Sequence, residues 1–222
     1  MPNKGGSQGL LPVAEARERI LAGLSPGQAE TCHLAESMGR VLASDVAARL
    51  SLPVEPVSAM DGYAARVADC GSVGTTLTRI GESAAGRPWT GTLGAGQAVR
   101  IFTGAVIPDG ADCIILQEDV DASAEEDGAS VIIREVPREG RFIRPAGLDV
   151  TAGDIILAAG TVMSARLIAL ATSAGHTHVS LWPRPHVGVL STGDELVIPG
   201  ETPGRGQIIS SNATYLSAFV RA

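Results

Sequence analysis

The densest group of chemistry-bearing residues in the chain is Ser191-Thr192-Gly193-Asp194-Glu195-Leu196, two hydroxyls, a glycine and two carboxylates in consecutive positions. It follows Val187 to Leu190, an apolar run that reads as a buried strand. In open α/β sheets ligands collect at the carboxyl ends of strands. Hydroxyls and bare N–H groups there suit an anion, and carboxylates suit a hard cation such as Mg²⁺; an ordinary turn is the plainer alternative. A second run, Ser58-Ala59-Met60-Asp61-Gly62-Tyr63-Ala64, follows Pro53 and Pro56. Asp before Gly in a tight turn leaves a carboxylate free for a metal or a hydroxyl, or caps local N–H groups as an Asx turn. In Ile101-Phe102-Thr103-Gly104-Ala105 a hydroxyl stands beside glycine where a strand becomes a loop, which suits an oxyanion or is a simple turn. Arg144 and Asp149 flank Gly147 and read most simply as a surface ion pair. Gln117-Glu118-Asp119 ends a strand with two acids, the pattern of edge-strand solubility charges.

These runs need elements to position them. Pro12 opens a helix carrying Val13, Ala16, Ile20 and Leu24 at helical spacing. A second helical stretch is expected over Leu34 to Leu42, then a short strand near Val46 to Leu50. From Ser51 to about Gly140 glycines recur between short apolar runs such as Ala98–Phe102 and Cys113–Gln117, the texture of a mostly β domain. Asp121 to Gly128 reads as an exposed hairpin tip. Beyond Arg141, a strand from Gly153-Asp154 through Leu157, a helix Ala165–Ala174 capped by Ser164 and stopped by Gly175, and a strand His178 to Leu181 are expected. Pro183 and Pro185 mark a boundary, and Asn212 is placed as the cap of a last helix bearing Leu216 and Val220. Strand, loop and opening helix make the first half of a βαβ unit, which cannot bury its own apolar faces. The expectation is therefore a final domain that continues in a longer protein.

Composition excludes several classes. The chain has 222 residues, 45% of them apolar, enough for a real core in one or two domains. A net charge of −7 and 3% aromatic residues argue against a nucleic-acid binder, which needs a basic face or stacking platforms. Lys4 is the one lysine, in an evident tail, so neither a P-loop lysine nor a Schiff-base lysine is available. Cys32, Cys70 and Cys113 are widely spaced, without CxxC, which supports neither a zinc knuckle nor a disulfide framework. His33, His176 and His178 form no nucleophile–His–acid order. The longest near-apolar run, Ile155 to Met163, is too short to span a bilayer, and no leader is evident, so a cytoplasmic, membrane-free protein is expected.

Taken in order, Ser58–Ala64, Ile101–Asp119, Arg144–Asp149 and Pro183–Leu196, with Gly206-Gln207-Ile208 to Asn212, resemble the molybdopterin molybdenumtransferase (MoeA) family, to which the E domain of gephyrin is related. The resemblance runs from about Ala14 to Ala222 and implies a multidomain α+β fold. In it a mostly β domain (51–140) is inserted in an elongated linker domain (10–50 and 141–182), followed by the truncated start of a molybdopterin-binding α/β domain (183–222). It implies a molybdenum insertase that places molybdate into adenylylated molybdopterin and releases AMP, with Mg²⁺. It further implies a homodimer, with molybdopterin adenylyltransferase and molybdoenzyme maturation proteins as partners. Carried over by position, Asp61, Thr103, Asp149 and Glu195 are the cleft's catalytic acids and hydroxyl. Ser191, Thr192, Gly193, Asp194 and Asn212 contact substrate, and Glu195 and Asp149 hold the cation. Leu148 departs from the family, which usually has an acid there. A non-catalytic scaffold or binding module of the same fold, or an inactive fragment, is the competing reading.

Overall fold

The computed structural model describes residues 11–221, and the expected Lys4 tail lies outside them. In chain order come α1 (Val13–Ala22), β1 (Glu30–His33), β2 (Val46–Ala47), β3 (Val57–Ser58), β4 (Gly62–Ala65), β5 (Thr76–Ser83) and β6 (Gln97–Ile101). Next are β7 (Cys113–Leu116), β8 (Val120–Ala122), β9 (Ser130–Ile133), β10 (Ile143–Arg144), β11 (Ile155–Leu157), α2 (Ala165–Ser173) and β12 (His178–Leu181). β13 (Leu196–Val197), β14 (Ile208–Ile209) and α3 (Ser211–Arg221) close the series. Two compact units result: Glu30–Leu181 is one, and the flanking segments, with α1, β13, β14 and α3, form the other.

In the larger unit the pairings nest. β1 pairs with β12, β2 with β11 and β3 with β10, all antiparallel. The stretch between β3 and β10 therefore leaves and re-enters at neighbouring points, and it carries a six-stranded sheet in the order β7-β4-β6-β5-β9-β8. Neighbours in that sheet are antiparallel except β5 and β6, which are parallel. β7 and β8 stand at opposite edges of the order yet are joined by one helical turn, Gln117–Asp119, so the sheet curls on itself. Along β5 Leu77 and Arg79 are buried on the inside face; a bulge between Arg79 and Glu82 then shifts the register, so Glu82 continues that face at its exposed rim while Gly81 and Ser83 are buried on the other, against Trp89 and the Val106 carbonyl. Leu77, Ala98, Ile115, Val131 and Ile133 fill the curl. Cys70 and Cys113 belong to the same core with their thiols in contact, unpaired by a disulfide; the Cys70 thiol and burial push the Cys113 thiol up. A separate cluster, Leu34, Leu42, Leu157, Met163, Ala171 and Leu181, binds α2 to the β1–β12 and β2–β11 pairs.

Several expectations need correction. Leu34 to Leu42 is not a helix: after the single turn Leu34–Glu36, Gly39 takes φ +71° and Leu42 bridges to Leu181. The Ser37 hydroxyl donates to the Leu34 carbonyl, a side-chain bond that competes with helix propagation. Ser164 occupies the N-cap position of α2 but makes no side-chain capping bond. Gly175, at φ +92°, does stop that helix as expected, donating to the Thr172 carbonyl. Val187 to Leu190 is not a buried strand: it joins no ladder among the described residues, and Val187 and Leu190 are 53% and 87% exposed. What pairs instead is β13 with β14, in parallel, and no helix intervenes between them. Asn212 lies within α3 rather than capping it. The apolar residues of α1, among them Val13 and Ile20, face solvent.

Among the described glycines the closest approach is at Gly62. A Cβ built there would lie 2.0 Å from the Ile115 carbonyl oxygen on β7. Gly62→Ala is expected to cost about 3 kcal/mol through forced backbone movement, lowering the melting temperature by several degrees. Gly23→Ala, whose Cβ would meet nothing closer than 3.6 Å, is expected to stay within about 0.5 kcal/mol of wild type. Equal melting temperatures for the two variants would contradict this packing.

Candidate functional site

The Ser58–Ala64 and Ile101–Ala105 runs meet. Asp61 Oδ1 accepts from both the Thr103 amide and the Thr103 hydroxyl, each at 2.7 Å. Gly104, at φ +80°, turns the chain so that its N–H reaches the Ser58 carbonyl at 2.8 Å, and the Ser58 amide donates to the Ala105 carbonyl at 2.9 Å. From the other side the Ala59 amide donates to the Phe142 carbonyl at 2.8 Å, and Phe142 holds the left-handed φ of +59°. A bulky residue in that region is a strained one, tolerated where its surroundings dictate it. The Asp61 carboxylate therefore bridges two loops distant in sequence, which is more than a local Asx turn. Its bonds from Thr103, side chain first and amide second, hold the carboxyl below the ordinary range, helped by the Arg100 charge.

Arg100, which sequence reasoning passed over, organises the neighbouring surface. Its guanidinium carbon lies 5.3 Å from the Tyr63 ring centroid and 4.7 Å from that of Phe102. Nη1 donates to the Gly62 carbonyl at 3.0 Å and Nη2 to Gln117 Oε1 at 2.7 Å. The period-2 register was the available signal, since Tyr63 and Arg100 are cross-strand partners on β4 and β6. Gln117-Glu118-Asp119 is a helical turn rather than a fringe of solubility charges: Asp119 is partly buried and pairs with Arg141 at 3.6 Å. Burial raises the Asp119 carboxyl, with Glu135 adding to it and Arg141 opposing. Asp121 to Gly128 does connect a hairpin, β8–β9, but the Glu125 carbonyl and the Asp127 carboxylate are tied down by Arg79.

Asp149 is placed apart from the Asp61–Thr103 pair in bonding: its Oδ2 accepts from Arg144 Nη2 at 2.6 Å, the exposed ion pair that spacing predicted. The remaining residues belong to the smaller unit. Ser191, Thr192, Glu195 and Asn212 line an open cavity of about 420 Å³ together with Ile208, Ser210 and Leu216. Gly193 and Asp194 do not line it; the Glu195 carboxylate folds over Gly193, where a Cβ would lie 2.5 Å from Oε2. The hydroxyl and carboxylate oxygens there are the hard donors a Mg²⁺ ion accepts, with one carboxylate and room for phosphate oxygens. No group of three or more His, Cys, Asp or Glu converges among the described residues. No helix among them is long and apolar enough to cross a membrane.

The profile of the MoeA N-terminal region (domain I and II) matches residues 11–175, and the chain belongs to that family. Molybdopterin molybdenumtransferase of Haemophilus influenzae is 39% identical over 204 residues, covering 91% of this chain and 50% of that protein. Molybdopterin molybdenumtransferase 2 of Mycobacterium tuberculosis is 40% identical over 195 residues, 86% of this chain and 47% of that one. The crystal structure of the molybdopterin biosynthesis MoeA protein from Pyrococcus horikoshii OT3 superposes with a TM-score of 0.83 at 31% identity, over 96% of this chain and 57% of that chain. The chain spans about half the length of the curated relatives it matches.

The Asp61–Thr103 bridge has a direct titration signature. A carboxyl whose folded pKa is depressed contributes stability above its unfolded pKa, near 3.9, and that contribution is lost as pH falls through the folded value. Carboxyl ¹³C NMR of wild type should show Asp61 titrating below the ordinary range. Thr103→Val removes the hydroxyl donor and should move the midpoint up toward about 3.9. An unchanged midpoint would show that the hydroxyl does not hold the carboxylate.

Proposed function

We propose that the chain serves in molybdenum cofactor biosynthesis as part of a molybdopterin molybdenumtransferase, which inserts molybdate into adenylylated molybdopterin and releases AMP. The Asp61–Thr103 bridge, standing in a chain of the MoeA family whose relatives carry that name, is the observation that supports this reading most strongly. The chemistry requires a fixed set of acids and hydroxyls beside crowded negative charge. The low carboxyl of Asp61 keeps it anionic at neutral pH, an acceptor that neither leaves its loop nor takes up a proton. Asp61 and Thr103 are assigned to the dithiolene end of the pterin, reached from the partner subunit of a homodimer. Glu195, with the Ser191 and Thr192 hydroxyls, is assigned to the phosphate end, where Asn212 lines the same cavity. Asp149, with one oxygen engaged by Arg144, is a further acid that the same reading assigns to the reaction. Glu195, with the hydroxyls beside it, would hold Mg²⁺, which when bound supplies charge neutralisation for the phosphate oxygens. The three-part division into a linker domain, an inserted β domain and the start of a molybdopterin-binding domain belongs to the same reading.

The test is maturation of a molybdoenzyme in cells whose own copy of this protein is replaced by Asp61→Ala or Glu195→Ala. Each is expected to lower molybdoenzyme activity about 100-fold or more, the scale of losing a group that acts at the reacting centre. Protein level should stay close to wild type in both; the melting temperature should hold for Glu195→Ala and fall by a few degrees for Asp61→Ala, which loses its two bonds from Thr103. Wild-type maturation in both variants would overturn the assignment and favour a scaffold.

A further inference from the structure

The open end of the curled sheet is a cavity of about 520 Å³, within the size range of small-molecule sites, which the mouths of β-barrels commonly supply. One cross-strand row forms its floor, with Tyr63 on β4 opposite Arg100 on β6, and Arg100 opposite Glu82 on β5. Val120 and Ala122 of β8 supply an apolar wall, brought round by the curl.

The two arginines of this mouth differ in how their charge is met. Arg79 is neutralised and enclosed: its side chain is 8% exposed, Nη2 lies 3.1 Å from Glu82, and Nε lies 3.5 Å from Asp127. Arg100 is held only by neutral partners, two aromatic rings, the Gly62 carbonyl and the Gln117 amide. Among the described residues no carboxylate comes within ion-pair distance of it; Asp61 acts on it at longer range and is itself engaged by Thr103. A guanidinium carries five N–H donors, and these contacts use two. The rest belong to a cation fixed in place and partly screened from water, where its field is stronger than at an open surface.

We infer that this mouth is a binding site for a tetrahedral oxyanion, free molybdate or a phosphate group, with Arg100 as the residue that holds it. The rigid planar fork offers paired N–H groups to two oxygens of one anion, which a lysine could not. Tyr63, Phe102, the Gly62 carbonyl and the Gln117 amide hold the guanidinium in place before any ligand arrives, so ordering it on binding costs little. Glu82, exposed at the same rim, opposes the anion and sets how tightly it is held. The site is distinct from the Asp61–Thr103 bridge, neither member of which lines the cavity. It requires no turnover and stands whether or not the chain inserts molybdenum.

The test is equilibrium titration of the full chain with inorganic phosphate and, separately, with molybdate at matched ionic strength, following the Arg100 side-chain ¹⁵N resonance. Saturable binding that shifts this resonance is expected. Arg100→Gln should weaken it about tenfold or more, the scale of losing a charged, bidentate partner. Glu82→Gln should tighten it about threefold, a gain that a damaged fold would not produce. Preference for molybdate would identify a free metal oxyanion as the ligand, and preference for phosphate the phosphate group of a larger one. Absence of saturable binding for both anions overturns the inference. So does equal binding by wild type and Arg100→Gln, or, if that variant does not fold, Glu82→Gln binding no tighter than wild type.

Discussion

Between Gly62 and the carbonyl of Ile115 there is room for a hydrogen atom and nothing larger. That close approach draws β4 against β7 at the point where the strand begins, with β6 on its other side. Three loops are set by it at once. Asp61 precedes the strand, Thr103 leaves β6 and Gln117 leaves β7, whose amide donates to the Asp61 carbonyl at 3.2 Å. The carboxylate, the hydroxyl and the amide that orients Arg100 are therefore products of one steric constraint, with the strained Phe142 backbone bracing the Asp61 loop from the β10 side.

Positive charge in this molecule is carried almost entirely by guanidinium groups, and two of them lie over aromatic rings. Arg100 lies over two rings, and Arg141 lies 4.8 Å from the Phe142 centroid while pairing with Glu135 at 2.7 Å and Asp119 at 3.6 Å. A chain with so few aromatic residues thus uses Tyr63 and Phe142 twice, each packing into or against a core cluster and carrying a guanidinium on its face. Arg79 shows the other use: an arginine at an inward strand position, made tolerable by two carboxylates and a carbonyl from the β8–β9 loop. Of that loop's acids Asp127 alone meets the inward arginine with its carboxylate, while Glu125 offers its carbonyl, a role its charge does not announce.

What was legible in the sequence follows the range over which each feature is determined. The strands β6, β7, β11 and β12 lay where short apolar runs between glycines put them, because alternation and turn residues act locally. Gly175 stopped α2 for the same reason. The helix expected over Leu34 to Leu42 failed because Leu42 is claimed by a partner far along the chain, Leu181. Val187 to Leu190 has the composition of a buried strand, but composition does not provide a neighbour to pair with. At the site, Asp61 and Thr103 were each visible as turn residues, while their bond across 42 positions was not. Arg100 was missed because its importance lies in register with Tyr63, a property of two strands rather than of either run.

The two thiols at the heart of the curled sheet give the molecule a property of its own. Cys70 and Cys113 are fully buried, and their sulfurs donate to the Arg66 and Ala65 carbonyls at 3.2 and 3.4 Å. An alkylating reagent can reach neither while the strands stay paired, and Cys113, with its thiol held protonated, is a poor nucleophile even when reached. Half-exposed Cys32 lies outside that core. The pace at which the second and third thiols are modified after the first is therefore a direct count of how often the curl comes apart, read chemically and without denaturant.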